Sequence, residues 1–254
     1  MTQRFHYREP LQFGGPRITW GVRWLILINV LVFIGQLLIN IPFGSVASPL
    51  GGRINEFLAF QPDLFLKGFL YKPLTYQFLH SSLMHLFMNM LWLFFFGPDV
   101  ERTLGSRPFV IFFVLCGALG VLTNVATFAL FGTAPSIVGA SGAAMGVLIA
   151  FAIIDPERQF FLFPLPFPIN ARALVLIVVV LNVITGLGEN NNTSVATHFG
   201  GMAVGYLYMT FLPRYNAWWR QYRHEKAAAR KKRKLDKVGQ AVDNIFEFRD
   251  RNRK

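Results

Sequence analysis

Three of the chain's five histidines, His80, His85 and His198, fall at the start of apolar stretches or inside them. An ionisable side chain is expensive there and marks function by default. Ser141 stands in the run Gly139-Ala140-Ser141-Gly142-Ala143-Ala144-Met145-Gly146. Such small neighbours let another backbone or a substrate approach the hydroxyl closely. Alone, the run reads as a helix-packing face. His198 on a different apolar stretch changes the reading, because an imidazole can take the serine proton and later return it, as nucleophilic catalysis requires. His85 and Asn89 are four residues apart and so project from one side of a helix. Aimed at Ser141, they could donate hydrogen bonds to an oxyanion, joined by the Ser141 backbone N–H at a helix start. Alone, Asn89 would be an interhelical hydrogen bond, worth about 0.6 kcal/mol on average in a membrane. His80 lies about 140° round an ideal helix from His85, which suits ordering a loop or holding water. Asp155 lies about 21 Å along a helix from Ser141 and cannot orient His198. Glu189 sits in an outer loop nine residues before His198, where sequence does not place it, and no carboxylate lies within the apolar stretches. The pattern is that of a Ser-His dyad.

The segment His198-Phe199-Gly200-Gly201-Met202-Ala203-Val204-Gly205 puts Gly201 and Gly205 on one helix face, with His198 close to that face. A glycine groove of this kind can lie tightly against the small-residue run around Ser141 and carry imidazole to hydroxyl.

The elements that hold these residues follow from composition. The chain has 254 residues, 53% hydrophobic and 15% charged, with 27 Phe and a mean hydropathy of +0.41. A soluble domain carries roughly 25% charged residues and would have to expose this apolar excess to water. Disorder is excluded because there is too much to bury. The chain is therefore expected to be an all-α polytopic membrane protein. Five stretches are long enough to cross a bilayer: Trp24–Ile41, Pro108–Phe131, Ile137–Ile154, Ala171–Gly188 and Val195–Leu212. A sixth, Leu83–Phe96, is shorter and carries His85 and Asn89. The first residues hold Arg4, Arg8 and Arg17 with no small-residue cleavage site after the first apolar run, so that run is expected to stay as a span.

Six spans place both termini on one side, and loop charge chooses it. The same-side segments carry four basic residues before the first span, Arg102 and Arg107, Arg158 and Arg172, and 14 beyond Pro213. The other side has Arg53, Lys67 and Lys72 alone. Both termini are thus expected in the cytoplasm. His85, Asn89, Ser141 and His198 then all fall early in inward-running spans, at one depth below the outer surface. The long first outer loop repeats apolar clusters such as Phe57-Leu58-Ala59-Phe60 and Phe69-Leu70-Tyr71, which predicts a half-submerged structure or a packing cap over the helix ends. The organisation is a cytoplasmic segment 1–22, a six-helix core 23–213 and a basic cytoplasmic tail 214–254. The tail, with Trp218-Trp219 and the run Arg230–Lys234, is expected to meet membrane lipids at the inner surface. It has no nucleic-acid-binding motif, so no nucleic-acid partner is expected. Cys116 is the single cysteine, so it can form no internal disulfide.

Three segments together resemble the signature elements of the rhomboid family of intramembrane serine proteases. They are His80-Ser-Ser-Leu-Met-His85-Leu-Phe-Met-Asn89, Gly139-Ala-Ser141-Gly142 and Ala196-Thr-His198-Phe-Gly-Gly201-Met-Ala-Val-Gly205, with Val100-Glu101-Arg102-Thr-Leu-Gly105 between the first two. The resemblance implies a rhomboid-like six-transmembrane-helix bundle in a cell membrane that cleaves transmembrane protein substrates near the outer face without metal or cofactor. It makes Ser141 the nucleophile and His198 the general base and acid. It puts His85 and Asn89 in the oxyanion hole, with His80, Gly139, Gly142, Gly201 and Gly205 in support. Met145 departs from the aromatic that bacterial members often carry there, and Tyr71-Lys72 from a Trp-Arg pair. Three other classes compete. A silent relative that binds transmembrane clients would generally lack the serine or histidine. A zinc hydrolase could use His80, His85 and His198, yet has no His-Glu-x-x-His motif here. A transporter would need broken helices or charges near the midplane.

Overall fold

A computed structural model describes residues 18–40, 53–132, 135–160, 168–187 and 195–211. The chain forms two compact units, Met1–Tyr208 and Met209–Lys254. The site and its supports belong to the first. The expected cytoplasmic segment up to residue 17, the loop residues 41–52 and the basic tail lie outside the described residues.

The first span is α1, Trp20–Asn40. Its N-terminus is held by Glu101, which accepts from the Gly21 and Val22 amides at 2.8 and 2.9 Å and from the Thr19 and Ser106 hydroxyls. A carboxylate there satisfies amides that have no intrahelical partner and complements the helix dipole. The short helices α2 (Arg53–Leu58), α3 (Pro62–Leu66) and α4 (Lys72–Thr75), with a 3₁₀ turn Tyr76–Phe78, build the loop that follows. Their knot is Lys72, 1% exposed, whose ammonium donates to the Glu56 and Ala59 carbonyls and to Gln61 Oε1 at 2.8–3.0 Å. Burial lowers its pKa, and Asp63 opposes that shift. Three acceptors and no donor around Nζ suit the ammonium form. Phe60 and Tyr76 pack with Val121 and Ile137 beneath the loop, while Phe57, Leu66, Leu70 and Leu74 stay exposed. The loop is at once a cap over helix ends and an apolar outer surface.

Helix α5, Leu83–Leu104, starts from Ser82, whose hydroxyl accepts from the His85 amide at 3.1 Å. It runs on through Gly97-Pro98, well past the apolar stretch Leu83–Phe96, and stops at Gly105, φ +87°. The extension serves α1, since it delivers Glu101. The stretch expected as one span from Pro108 is one apolar helical segment, Ser106–Phe131, made of α6, Ser106–Gly120, and α7, Thr123–Phe131, with a turn at Val121-Leu122 between them. The fourth span differs. Helix α8, Ser141–Ile154, begins four residues later than expected, because Ile137 exchanges backbone hydrogen bonds with Phe60. Non-helical backbone at membrane depth is tolerated only when protein covers it, and the loop helices do so. A two-residue antiparallel pair, Gln159–Phe160 with Ile169–Asn170, leads into α9, Ala171–Leu187. Residues 195–211 form a further helix, α10.

Among the described residues three helical segments are long and apolar enough to cross a membrane, Trp20–Ile39, Leu83–Leu104 and Ser106–Phe131, with Ser141–Ile154 and Ala171–Gly186 as shorter apolar helices. The arrangement suits lipid. Leu31, Leu38, Leu83, Leu130, Leu176 and Ile184 face outward, while Asn29, Gln36, Gln77, His80, Asn89 and Asn124 are buried. Helix α8 is buried on nearly every face, from Gly142 to Phe151, and is the helix that the others surround. The protein is an α-helical membrane protein.

Candidate active site

Ser141 is the first residue of α8, so its backbone N–H is one of the amides that a helix start leaves unpaired. Before it, Gly139 adopts φ +118°, a left-handed conformation that glycine alone takes readily. A Cβ at Gly139 would stand 2.6 Å from His85 Cε1, 2.7 Å from His85 Nε2 and 3.6 Å from Asn89 Nδ2. The glycine therefore serves both a turn and a close approach, and both α5 side chains converge on the backbone just ahead of Ser141. At its 14 residues α8 is only about 21 Å long, against a hydrocarbon core of about 30 Å. A helix that short places its first residue below the membrane surface when its other end reaches the opposite face.

The Ser141 hydroxyl lies 2.8 Å from His198 Nε2. Helix packing makes this bond. A Cβ at Gly201 would collide with the Gly142 carbonyl, and one at Gly205 would stand 2.7 Å from the Gly146 carbonyl. α10 thus lies backbone to backbone on α8, with its fourth residue, His198, beside the first residue of α8. Gly142 in turn leaves room for Thr197, whose Cγ2 would be 2.8 Å from an added Cβ. Helix α7 fixes the start of α10 from another side. Thr123 donates to the Ala196 carbonyl at 2.7 Å, and Asn124 Nδ2 to Thr197 Oγ1 at 2.7 Å.

The other ring nitrogen, His198 Nδ1, lies 2.5 Å from Asn182 Oδ1 on α9. Sequence reasoning missed Asn182, having looked only for a carboxylate. A signal was present: an amide inside Leu174–Ile184, an otherwise apolar run. Asn182 stands five residues before the end of α9. That helix runs opposite to α8 and α10, so its late residues share the depth of their early ones.

On α5, Asn89 is 4% exposed, and its Nδ2 has no hydrogen-bond partner among the described residues. His85 Nδ1 is 2.9 Å from the Ser81 hydroxyl. His80, read from sequence as ordering a loop or holding water, lies edge-on to His85 with ring centroids 5.2 Å apart. It is fully buried, and its backbone N–H donates to Gln36 Oε1 at 3.0 Å. Neither His80 ring nitrogen has a well-formed partner among the described residues, the Phe78 carbonyl offering only a weak contact. Burial, helped by repulsion from His85, pushes the His80 imidazole down to about 3, so it is neutral at ordinary pH. Among the described residues no three His, Cys, Asp or Glu side chains are grouped to hold a metal ion, and the three-histidine zinc arrangement does not form.

The Rhomboid domain family profile matches residues 67–215. Rhomboid protein 1, mitochondrial, from Saccharomyces cerevisiae is 33% identical over 136 residues, covering 52% of this chain and 38% of its own length. RHOMBOID-like protein 12, mitochondrial, from Arabidopsis thaliana is 28% identical over 196 residues, 71% of this chain and 54% of its own length. Rhomboid protease GlpG from Salmonella newport is 28% identical over 218 residues, 85% of this chain and 70% of its own length. The chain spans about half or less of the length of the two mitochondrial relatives, and more of the bacterial one.

Proposed function

This chain belongs to the rhomboid family, and on that premise we propose that it is an intramembrane serine endopeptidase in which Ser141 and His198 cut transmembrane-helix substrates near the outer face. The observation that carries the proposal is the 2.8 Å approach of Ser141 Oγ to His198 Nε2. A protease among its relatives supports the reaction class. Residues 23–213 are the catalytic unit, and loop charge supports cytoplasmic termini.

The chemistry runs in two halves. Ser141 Oγ attacks the scissile carbonyl carbon while its proton passes to His198 Nε2. The carbonyl π pair moves onto oxygen, and the resulting oxyanion faces Asn89 Nδ2, His85 Nε2 and the Ser141 N–H. With the Ser81 hydroxyl donating to His85 Nδ1, His85 Nε2 carries the ring proton and can serve as a donor. Collapse of the intermediate breaks the C–N bond, and the leaving amine takes the proton from His198. Water then enters, gives a proton to the same nitrogen and attacks the acyl carbon. Collapse breaks the C–Oγ bond as His198 returns that proton to Ser141 Oγ, releasing the acid and the free serine. The group needs no metal, because the oxyanion donors and the base are all side chains or backbone of this chain.

The test uses the purified protein in liposomes with a model transmembrane substrate and a fluorophosphonate label. Ser141→Ala should abolish both cleavage and labelling, His198→Ala should abolish cleavage, and a chelator should change nothing. Appreciable cleavage by purified Ser141→Ala would falsify the assignment.

A further inference from the structure

A helix residue with a short amide side chain often bonds back to its own helix. Asn29 on α1 does so, its Nδ2 donating to the Leu25 carbonyl at 2.7 Å, and its Oδ1 has no partner among the described residues. Asn182 on α9 makes the same bond, Nδ2 to the Val178 carbonyl at 2.8 Å. A carbonyl can only accept, so the Asn182 atom facing it must be the NH₂ group, and the oxygen must face away. That oxygen is the atom 2.5 Å from His198 Nδ1.

The bond decides the state of the imidazole. If Nδ1 carried no proton, two lone pairs would face each other across 2.5 Å, which is repulsive. Nδ1 must be the N–H, donating to Asn182 Oδ1, and Nε2 must be the bare nitrogen. Nε2 is the nitrogen beside the Ser141 hydroxyl. The tautomer that can accept the serine proton is therefore set from α9. When Nε2 takes that proton the ring becomes a cation, and the Nδ1–H bond to Asn182 becomes charge-assisted and stronger. Such a bond helps most where positive charge develops, along the reaction path rather than in the resting state.

We propose that Asn182 is a positioning residue for His198, the third member of a Ser141-His198-Asn182 relay that extends the dyad. It touches neither substrate nor the reacting carbonyl and acts only through the imidazole. Being an amide, it does this without burying a carboxylate in a membrane-spanning helix.

The inference rests on the serine-protease reading, and one panel of variants separates the two. Steady-state cleavage of a model substrate is measured for the parent, Asn182→Leu, Asn182→Ala, Asn182→Asp and Ser141→Ala, each with a thermal melt in detergent. Asn182→Leu and Asn182→Ala remove the acceptor with different volumes. Both should lower kcat by about 10- to 100-fold, by analogy with the loss when the second nitrogen of a metal-bound imidazole loses its partner, while KM and the melt hold. Asn182→Asp keeps an oxygen for Nδ1, and in its protonated form also donates to Val178, so it should restore most of the lost turnover. Parental kcat in Asn182→Leu, an effect confined to KM, or an Asp variant as slow as the Leu variant would each overturn the relay with the dyad intact. Activity in Ser141→Ala would instead overturn the reading beneath it.

Discussion

Asn89 and His85 project from one side of α5 at the backbone that leads into Ser141, and the two differ in what already satisfies them. His85 is engaged through Nδ1 with Ser81, whereas the Asn89 amide nitrogen is buried with no partner among the described residues. Keeping a buried donor unpaired costs about 1–3 kcal/mol. An oxyanion is a stronger acceptor than the substrate carbonyl, so a donor held ready is repaid in the intermediate. Asn89→Ala should therefore lower kcat by about 10²–10³-fold with little change in KM, and His85→Ala should act in the same sense. Kinetics in which either change mainly raised KM would move that residue from the oxyanion hole to the substrate groove. Gly139 belongs to the same argument: any side chain there meets His85 and also requires a left-handed backbone.

At the scale of elements, the site depends on two helices lying closer than side chains allow. Gly201 and Gly205 of α10 rest on the Gly142 and Gly146 carbonyls of α8, and Gly200 rests likewise on Gly120 of α6. Ala203 is two positions further round and exposed. Gly201→Val should force α10 off α8 and destabilise by about 1–3 kcal/mol, as overpacking does. Ala203→Val should stay within about 0.5 kcal/mol of the parent, as surface changes do. Thermal unfolding in detergent compares them, and equal shifts would mean that α10 packs by another face. Any separation of α8 and α10 also parts Ser141 from His198, so the destabilised variant should lose activity before it loses its fold.

Across the described residues large apolar side chains cover the outside as well as fill the core, and amides and imidazoles lie within. Charge concentrates at the opposite end from the site. Arg158 pairs with both Asp99 beyond the middle of α5 and Asp155 at the end of α8, and Arg172 at the start of α9 pairs with Glu157. Those pairs mark one polar face of the first unit, and loop charge is the ground on which the 14 basic residues after Pro213 are proposed to be cytoplasmic. The tail should accordingly contribute to orientation and not to chemistry. Deleting residues 224–254 should leave cleavage in liposomes near the parental rate, with anionic or neutral lipids alike. A tenfold change in turnover with topology intact would assign the tail a regulatory role.

Much of this protein was legible before any coordinates. Hydropathy depends on composition along the chain, so the membrane class and the positions of the apolar helices could be read directly. The orientation rule put Ser141, His198, His85 and Asn89 at one depth, and the glycine spacing showed which face of α10 was bare enough to lie on α8. What sequence could not supply was the pairing of side chains across helices and the points where helices begin and end. Helix α5 passes Pro98 because Glu101 beyond it is bound to the start of α1, a gain no local propensity records. Helix α8 begins at Ser141 because Ile137 is taken up by Phe60, seventy-seven residues earlier in the chain. Asn182 shows the limit most plainly. Its type and depth were readable, yet the choice between an amide bonded back to its own helix, as Asn29 is through Nδ2, and one that orients a histidine rests on which neighbour its oxygen meets. Only the packing of α9 against the site decides that.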